Sequence, residues 1–119
     1  MTAQQIKFIK DSLQAAVSAG AAFHMNPSVI LAQAAFESGW GTSRLATESN
    51  NFFGLTAYGC SNEYWHGGKT KVKTDSYSLD FRRYDTRANS FLDFARLIRS
   101  SYRMAWQCSN DPEAYVREI

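Results

Sequence analysis

The stretch from Asn26 to Leu55 constrains this chain more than any other. It reads Asn-Pro-Ser-Val-Ile-Leu-Ala-Gln-Ala-Ala-Phe-Glu-Ser-Gly-Trp-Gly, followed after a short polar interval by Asn50-Asn51-Phe52-Phe53-Gly54-Leu55. Asn26 is a good helix cap, and Pro27 suits the first helical position, where its missing N–H costs nothing. Ile30, Ala34 and Glu37 then fall near one line at helical spacing, with Val29, Ala32, Gln33 and Phe36 beside it. This apolar surround predicts a buried central helix over 27–38. Gly39 and Gly41 stop it, since glycine readily takes the left-handed conformation that closes a helix.

Glu37 therefore falls in the last helical turn, where the partial negative charge of the helix end disfavours a carboxylate. Phe36 and Trp40 are expected to strip water from it. Both effects favour the protonated form, which a general acid working near neutral pH needs. Taken alone, Glu37 reads as a structural residue, solvated at the helix end or paired with an arginine such as Arg44, ahead of a catalytic one.

The remaining segments frame this helix. A first helix is expected from Thr2 to Ala19, packing through Ile6, Ile9, Leu13, Ala16 and Val17 and ended by Gly20. Residues 41–51 predict a turn and a short helix. Between Tyr58 and Tyr84 the pattern changes to glycines, aromatics and an alternating run from Lys69 to Thr74, which reads as a small antiparallel sheet. Asp85 or Thr86 caps a further helix with an apolar stripe of Phe91, Phe94, Ala95, Ile98 and Tyr102. Arg87, Asp93, Arg96 and Arg99 are expected mostly outside, and the helix is expected beside the central one. Asp111-Pro112 starts a last helix.

With 119 residues, 45% of them hydrophobic, the chain suffices for one domain with a real core, and residues 1–119 are read as a single domain. A net charge of +2 is too mild to argue for nucleic acid. No stretch is long and apolar enough to span a membrane, and residues 1–20 lack the pattern of a secretory signal. Cys60 and Cys108 do not have the spacing of a zinc site, so neither a metal nor another cofactor is expected; whether they pair stays open. His24 and His66 are too isolated for a metal pair or a nucleophile-activating base.

Glu37-Ser38-Gly39-Trp40-Gly41, Leu45-Ala46 and Asn50-Asn51-Phe52-Phe53-Gly54-Leu55 together resemble the signature of the peptidoglycan-hydrolysing glucosaminidases, glycoside hydrolase family 73, which includes autolysins, flagellar wall hydrolases and phage lysins. The resemblance continues through Phe81-Arg82-Arg83-Tyr84-Asp85 and the helix from Phe91 to Ile98, and so covers about Met25 to Tyr102. It implies an α+β, lysozyme-like fold, mainly helical, with a small antiparallel β-lobe from Tyr64 to Tyr84 facing the 27–38 helix across a substrate cleft. It also implies hydrolysis of the β-1,4 bond between N-acetylglucosamine and N-acetylmuramic acid, with Glu37 as the catalytic acid. Peptidoglycan glycan strands become the expected partner, and the cell envelope or the secreted space the expected location.

The second catalytic group is assigned through the same resemblance. Family members carry a β-lobe carboxylate in a Thr-Glu-Tyr-like stretch, and Thr74-Asp75-Ser76-Tyr77 is the nearest match, so Asp75 is the candidate; Glu48, Glu63 and Asp80 rank behind it. Without a close second carboxylate, the substrate's own acetamido group is the alternative nucleophile. Candidate substrate-binding residues are Trp40, Asn51, Phe53, Tyr64, Tyr77 and Tyr102. Tyr64 and Tyr77, like Trp65, offer flat faces for sugar rings, whereas Trp40 is also placed to seal the end of the central helix. The family's Gly-Tyr-Ala-Thr-Asp-Pro-like segment has only a faint counterpart in Asn110 to Tyr115, so the domain is read as shortened at its C-terminal end, with Tyr102 and Tyr115 as substitutes for the missing tyrosine. A muramidase or lytic transglycosylase of similar fold, and a non-catalytic wall-binding module, are the alternative readings.

Overall fold

In the computed structural model, which describes residues Met1–Ile119, the chain forms six helices and one hairpin. The order is α1 (Ala3–Phe23), α2 (Pro27–Ser38), α3 (Arg44–Ser49), β1 (Lys69–Lys73), β2 (Ser78–Arg82), α4 (Arg87–Ser101), α5 (Arg103–Gln107) and α6 (Pro112–Glu118).

The bounds of α2 follow from its punctuation. The Asn26 side chain accepts from the Ser28 amide at 2.9 Å, Pro27 opens the helix, and Gly39 closes it at φ 57°. Gly41 is fixed as glycine by more than its φ of 77°, since a Cβ there would lie 2.9 Å from the Phe8 ring. α3 has Ser43 as its cap, and α4 has Thr86.

α1 departs from expectation in length and in face. It runs through Gly20 and closes at His24, which takes the left-handed conformation itself. Gly20 serves close approach, because a Cβ would stand 2.6 Å from the Met25 carbonyl oxygen as the chain turns into α2. The buried face is Phe8, Ser12, Ala15, Ala16, Ala19 and Gly20, whereas Ile6, Leu13 and Val17 are 43–50% exposed. Small residues let neighbouring helices come close, and α1 packs against both α4 and α2. It is therefore α1 that occupies the middle of the helical layer; α4 lies mainly on α1 and only lightly on α2, and one face of α2 stays open.

Phe8, Ile30, Phe52, Phe53, Phe91, Phe94 and Ile98 build the core. Phe53 stacks on Phe94 with centroids 4.0 Å apart and meets the edge of Phe91. β1 and β2 pair antiparallel with Lys69 opposite Arg82 and Lys73 opposite Ser78. The lobe expected over Tyr64–Tyr84 is thus a two-stranded hairpin with one further bridge, Thr56 to Phe81; Tyr64 and Trp65 lie in the loop before it. The hairpin is tied to α3 through Ser49 to Thr70, 2.7 Å, and through the Tyr84 amide donating to Ser49 O.

Candidate active site

Glu37 lies in the last turn of α2 with its side chain exposed. It enters no ion pair; Arg44, its alternative partner, is engaged by Glu48 at 3.0 Å. The desolvation expected from its neighbours is not supplied within the chain, because Phe36 is 84% exposed and Trp40 turns away to meet Phe8 edge-on at 6.0 Å.

Beside Glu37 runs a groove of about 490 Å³ between α2 and α6. Val29, Ala32 and Phe36 form its α2 wall, and Pro112, Val116 and Ile119 its α6 wall. α6 is placed by its own start signal, with Asp111 accepting from the Ala114 amide at 3.2 Å and Pro112 in the first turn. Trp106 Nε1 donates to Phe23 O at 2.7 Å, and the Asn26 amide to Ser109 Oγ at 3.2 Å, so the α5–α6 segment is fastened to the turn before α2. On the groove floor the Tyr115 hydroxyl donates to Gln33 Oε1 at 2.8 Å. Burial pushes the Tyr115 hydroxyl up to about 12, so it stays a donor. Glu37 is the only carboxylate side chain lining the groove.

The other expected site residues divide sharply. Asn51 is 1% exposed: its amide nitrogen donates to Leu55 O and Arg82 O, and its oxygen accepts from the Phe53 and Leu55 amides. Phe53 is 5% exposed inside the aromatic core. The substrate-contact role expected of these two is corrected to a structural one: Asn51 shapes the turn and Phe53 anchors it. Trp40 packs on Phe8, and its carbonyl accepts from Gln4 Nε2; it borders a separate polar pocket with Lys7, Asp11 and Arg87 and does not line the groove. Tyr64 leans edge-on against Phe23. Tyr77 and Tyr102 are 52% and 44% exposed, the first at the hairpin and the second between α4 and α5. Asp75 is exposed in the turn between β1 and β2 and is not among the residues lining the groove. Glu48 and Asp80 are engaged by Arg44 and Lys71. Cys60 and Cys108 are free thiols.

Asp93, expected on the surface, is completely buried and is the hub between hairpin and helices. It accepts from Arg82 Nη1 at 2.6 Å, from the Tyr84 hydroxyl, and from Asn62 Nδ2 and Arg96 Nε, both at 3.0 Å. Burial pushes its carboxyl up, but the donors from Tyr84, Arg82 and Arg96 outweigh burial and hold it below the ordinary range. Burial and the Asp93 charge push the Tyr84 hydroxyl well up. Arg82 also lies 4.1 Å over the Trp65 ring and donates to the carbonyls of Thr56 and Tyr58. Asn62 accepts from the Tyr64 and Trp65 amides, so the aromatic loop is held through Asp93.

Residues 13–119 match the family described as Mannosyl-glycoprotein endo-beta-N-acetylglucosaminidase, Glucosaminidase. The chain belongs to the glucosaminidase family. Among curated relatives, the peptidoglycan hydrolase FlgJ of Vibrio parahaemolyticus is 30% identical over 94% of this chain and 39% of its own length. The exo-glucosaminidase LytG of Bacillus subtilis is 30% identical over 77% of this chain and 36% of its own. The chain thus spans less than two fifths of the length of these relatives. The solved peptidoglycan hydrolase of Sphingomonas sp. A1 superposes with a TM-score of 0.77 at 27% identity, over 98% of this chain and 74% of that one. The glycoside hydrolase domain of Salmonella typhimurium FlgJ gives 0.75 at 26%, over 96% and 73%. This glucosaminidase domain therefore has the α+β, lysozyme-like fold of those hydrolases. None of its helices is long and apolar enough to cross a membrane.

Proposed function

We propose that this domain hydrolyses the β-1,4 bond between N-acetylglucosamine and N-acetylmuramic acid in peptidoglycan, with Glu37 as the general acid. The observation that carries this reading is that Glu37 is the one carboxylate side chain of an open apolar groove, with no cation or donor of its own chain engaging it. A glycan laid along the groove covers the carboxyl with pyranose faces and supplies the desolvation that the free chain lacks, which favours the proton-bearing form. Glu37 then donates its proton to the leaving glycosidic oxygen as the anomeric carbon develops oxocarbenium character.

Asp75 is the proposed second group. It is exposed on the hairpin turn and in no ion pair, whereas Glu48 and Asp80 are held by basic neighbours. Asp75 does not share the groove with Glu37, and this favours a water-mediated inverting route, or assistance by the substrate's own acetamido group, over direct carboxylate attack. Tyr64, Tyr77 and Tyr102 do not line the groove and are proposed as aromatics that contact the glycan strand beyond it; the proposed site of action is the cell envelope or the secreted space.

Purified peptidoglycan digested with this chain, reduced with borohydride and analysed by mass spectrometry tests the reading. New reducing ends of N-acetylglucosamine support it. N-acetylmuramic acid ends assign a muramidase, and anhydro ends a lytic transglycosylase. The separation of Asp75 from the groove also favours a second reading, a wall-binding module without turnover; pull-down by wall with no release of reducing sugar decides for that one.

A further inference from the structure

We infer that Gln33 reads the 2-acetamido group of the sugar bound next to Glu37, with Tyr115 as the positioning residue that aims it; the inference rests on the glycan reading of the groove. Gln33 precedes Glu37 by four residues on α2, so the two side chains lie one turn apart, about 6 Å along the helix, on the same groove wall. That separation is within the width of one pyranose ring. The Gln33 carbonyl oxygen is taken by the Tyr115 hydroxyl at 2.8 Å. No protein group accepts from the Gln33 amide nitrogen, and it is not sealed from solvent. A primary amide held by its oxygen presents its two N–H donors in a fixed plane.

The remaining wall sharpens the assignment. Ser28, the other neutral polar residue of the α2 wall, is nine residues before Glu37, about 14 Å along the helix and beyond the reach of a single sugar. Around Gln33 the groove presents Val29, Ala32 and Val116. One amide donor set among methyl groups is complementary to an acetamido substituent, which carries a carbonyl acceptor and a methyl group and leaves neither side unmatched. A hydroxyl at the same sugar position has no methyl to fill the apolar wall and does not project a carbonyl to the donors. Tyr115 is 2% exposed, so its hydroxyl is fixed by packing and the orientation of Gln33 is built into the docking of α6 on α2.

The test measures binding without turnover, in the full chain carrying Glu37→Gln, for the neutral tetramers of N-acetylglucosamine and of glucose. The background variant is expected to bind the acetylated tetramer about tenfold more tightly, the worth of one neutral hydrogen bond. Adding Gln33→Leu abolishes the preference and leaves affinity for the glucose tetramer unchanged. Adding Tyr115→Phe, which removes only the hydroxyl, reduces the preference while the thermal melt stays close to that of the background; it carries the test if Gln33→Leu does not fold. A preference that survives Tyr115→Phe and Gln33→Leu, an equal loss for both tetramers, or no binding of the acetylated tetramer overturns the inference. Hydrolysis of wall by the parent chain separates the two levels: turnover with an unaltered preference rejects the Gln33 assignment alone, and a lost preference without turnover rejects catalysis alone.

Discussion

Two carboxylates on two helices of this domain have opposite surroundings. Asp93 on α4 is inaccessible and accepts from Arg82, Tyr84, Asn62 and Arg96; Glu37 on α2 is exposed and has no cationic partner. Around Asp93 the polar atoms are satisfied and the geometry is over-determined, as a joint between hairpin, aromatic loop and helices requires. Around Glu37 the walls are apolar and the carboxylate is free, which suits the general-acid role proposed for it. The difference teaches that charge alone says little about role, and that a carboxylate's donors say a great deal.

The comparison breaks most severely at Asp93. Asp93→Ala leaves the Arg82 guanidinium, whose side chain is 10% exposed, without its counter-charge. The expected loss is ~3–5 kcal/mol in denaturant or thermal unfolding, the range for removing one partner of a buried pair. The pH dependence follows from the direction of the shift. Asp93 has a folded carboxyl held below its ordinary 3.8, so its contribution is present above that value and lost as pH falls through the lower folded one. Asp93→Asn is therefore less stable than the parent at neutral pH, and the gap between their melting temperatures closes in strong acid. A gap independent of pH would show that the Asp93 charge is not what holds the joint.

Trp40→Ala is next. Trp40 is partly buried on Phe8, and truncation is expected to cost about 2 kcal/mol, below the range for a fully buried tryptophan, with little change in oligosaccharide affinity. A collapse of affinity with an unchanged melt would make Trp40 a sugar platform instead. The smallest effect on stability belongs to the groove itself. Phe36 is 84% exposed, so Phe36→Ser is expected to shift stability by no more than ~0.5 kcal/mol while weakening oligosaccharide binding. A large loss of stability would mean that the groove wall is part of the core.

Much of the frame was legible in residue order, and the reasons for the rest are physical. α2 has a capping asparagine, a proline at its start and a glycine at its end, and these local signals placed it within its observed bounds. The hairpin was legible in the alternation of Lys69 to Lys73, since that pattern depends only on neighbours in the strand. The buried face of α1 was not, because pattern reading favours large apolar residues, and here Ser12, Ala15, Ala16, Ala19 and Gly20 face the core to let helices approach. Asp93 looked like a surface residue because its donors Arg82, Tyr84 and Asn62 come from outside its helix. Glu37 stood out through the motif around it, Glu37 to Gly41 with Asn50 to Leu55, but the groove beside it depends on where α6 docks, and the Tyr115–Gln33 contact joins residues 82 positions apart. Asn51 and Phe53 were marked as part of the site, but both are buried, Asn51 bonded to the backbone of Leu55 and Arg82 and Phe53 stacked in the aromatic core.

The central claim is that the free carboxylate, and not the bonded one, performs the chemistry. The most direct measurement is release of reducing ends from purified peptidoglycan by the parent chain and by Glu37→Gln, each with a thermal melt. Loss of the transferable proton is expected to lower the rate by roughly 10²–10⁴-fold, with the melting temperature and binding of insoluble wall unchanged. Hydrolysis by Glu37→Gln within a few-fold of an active parent, with the fold intact, would contradict the account.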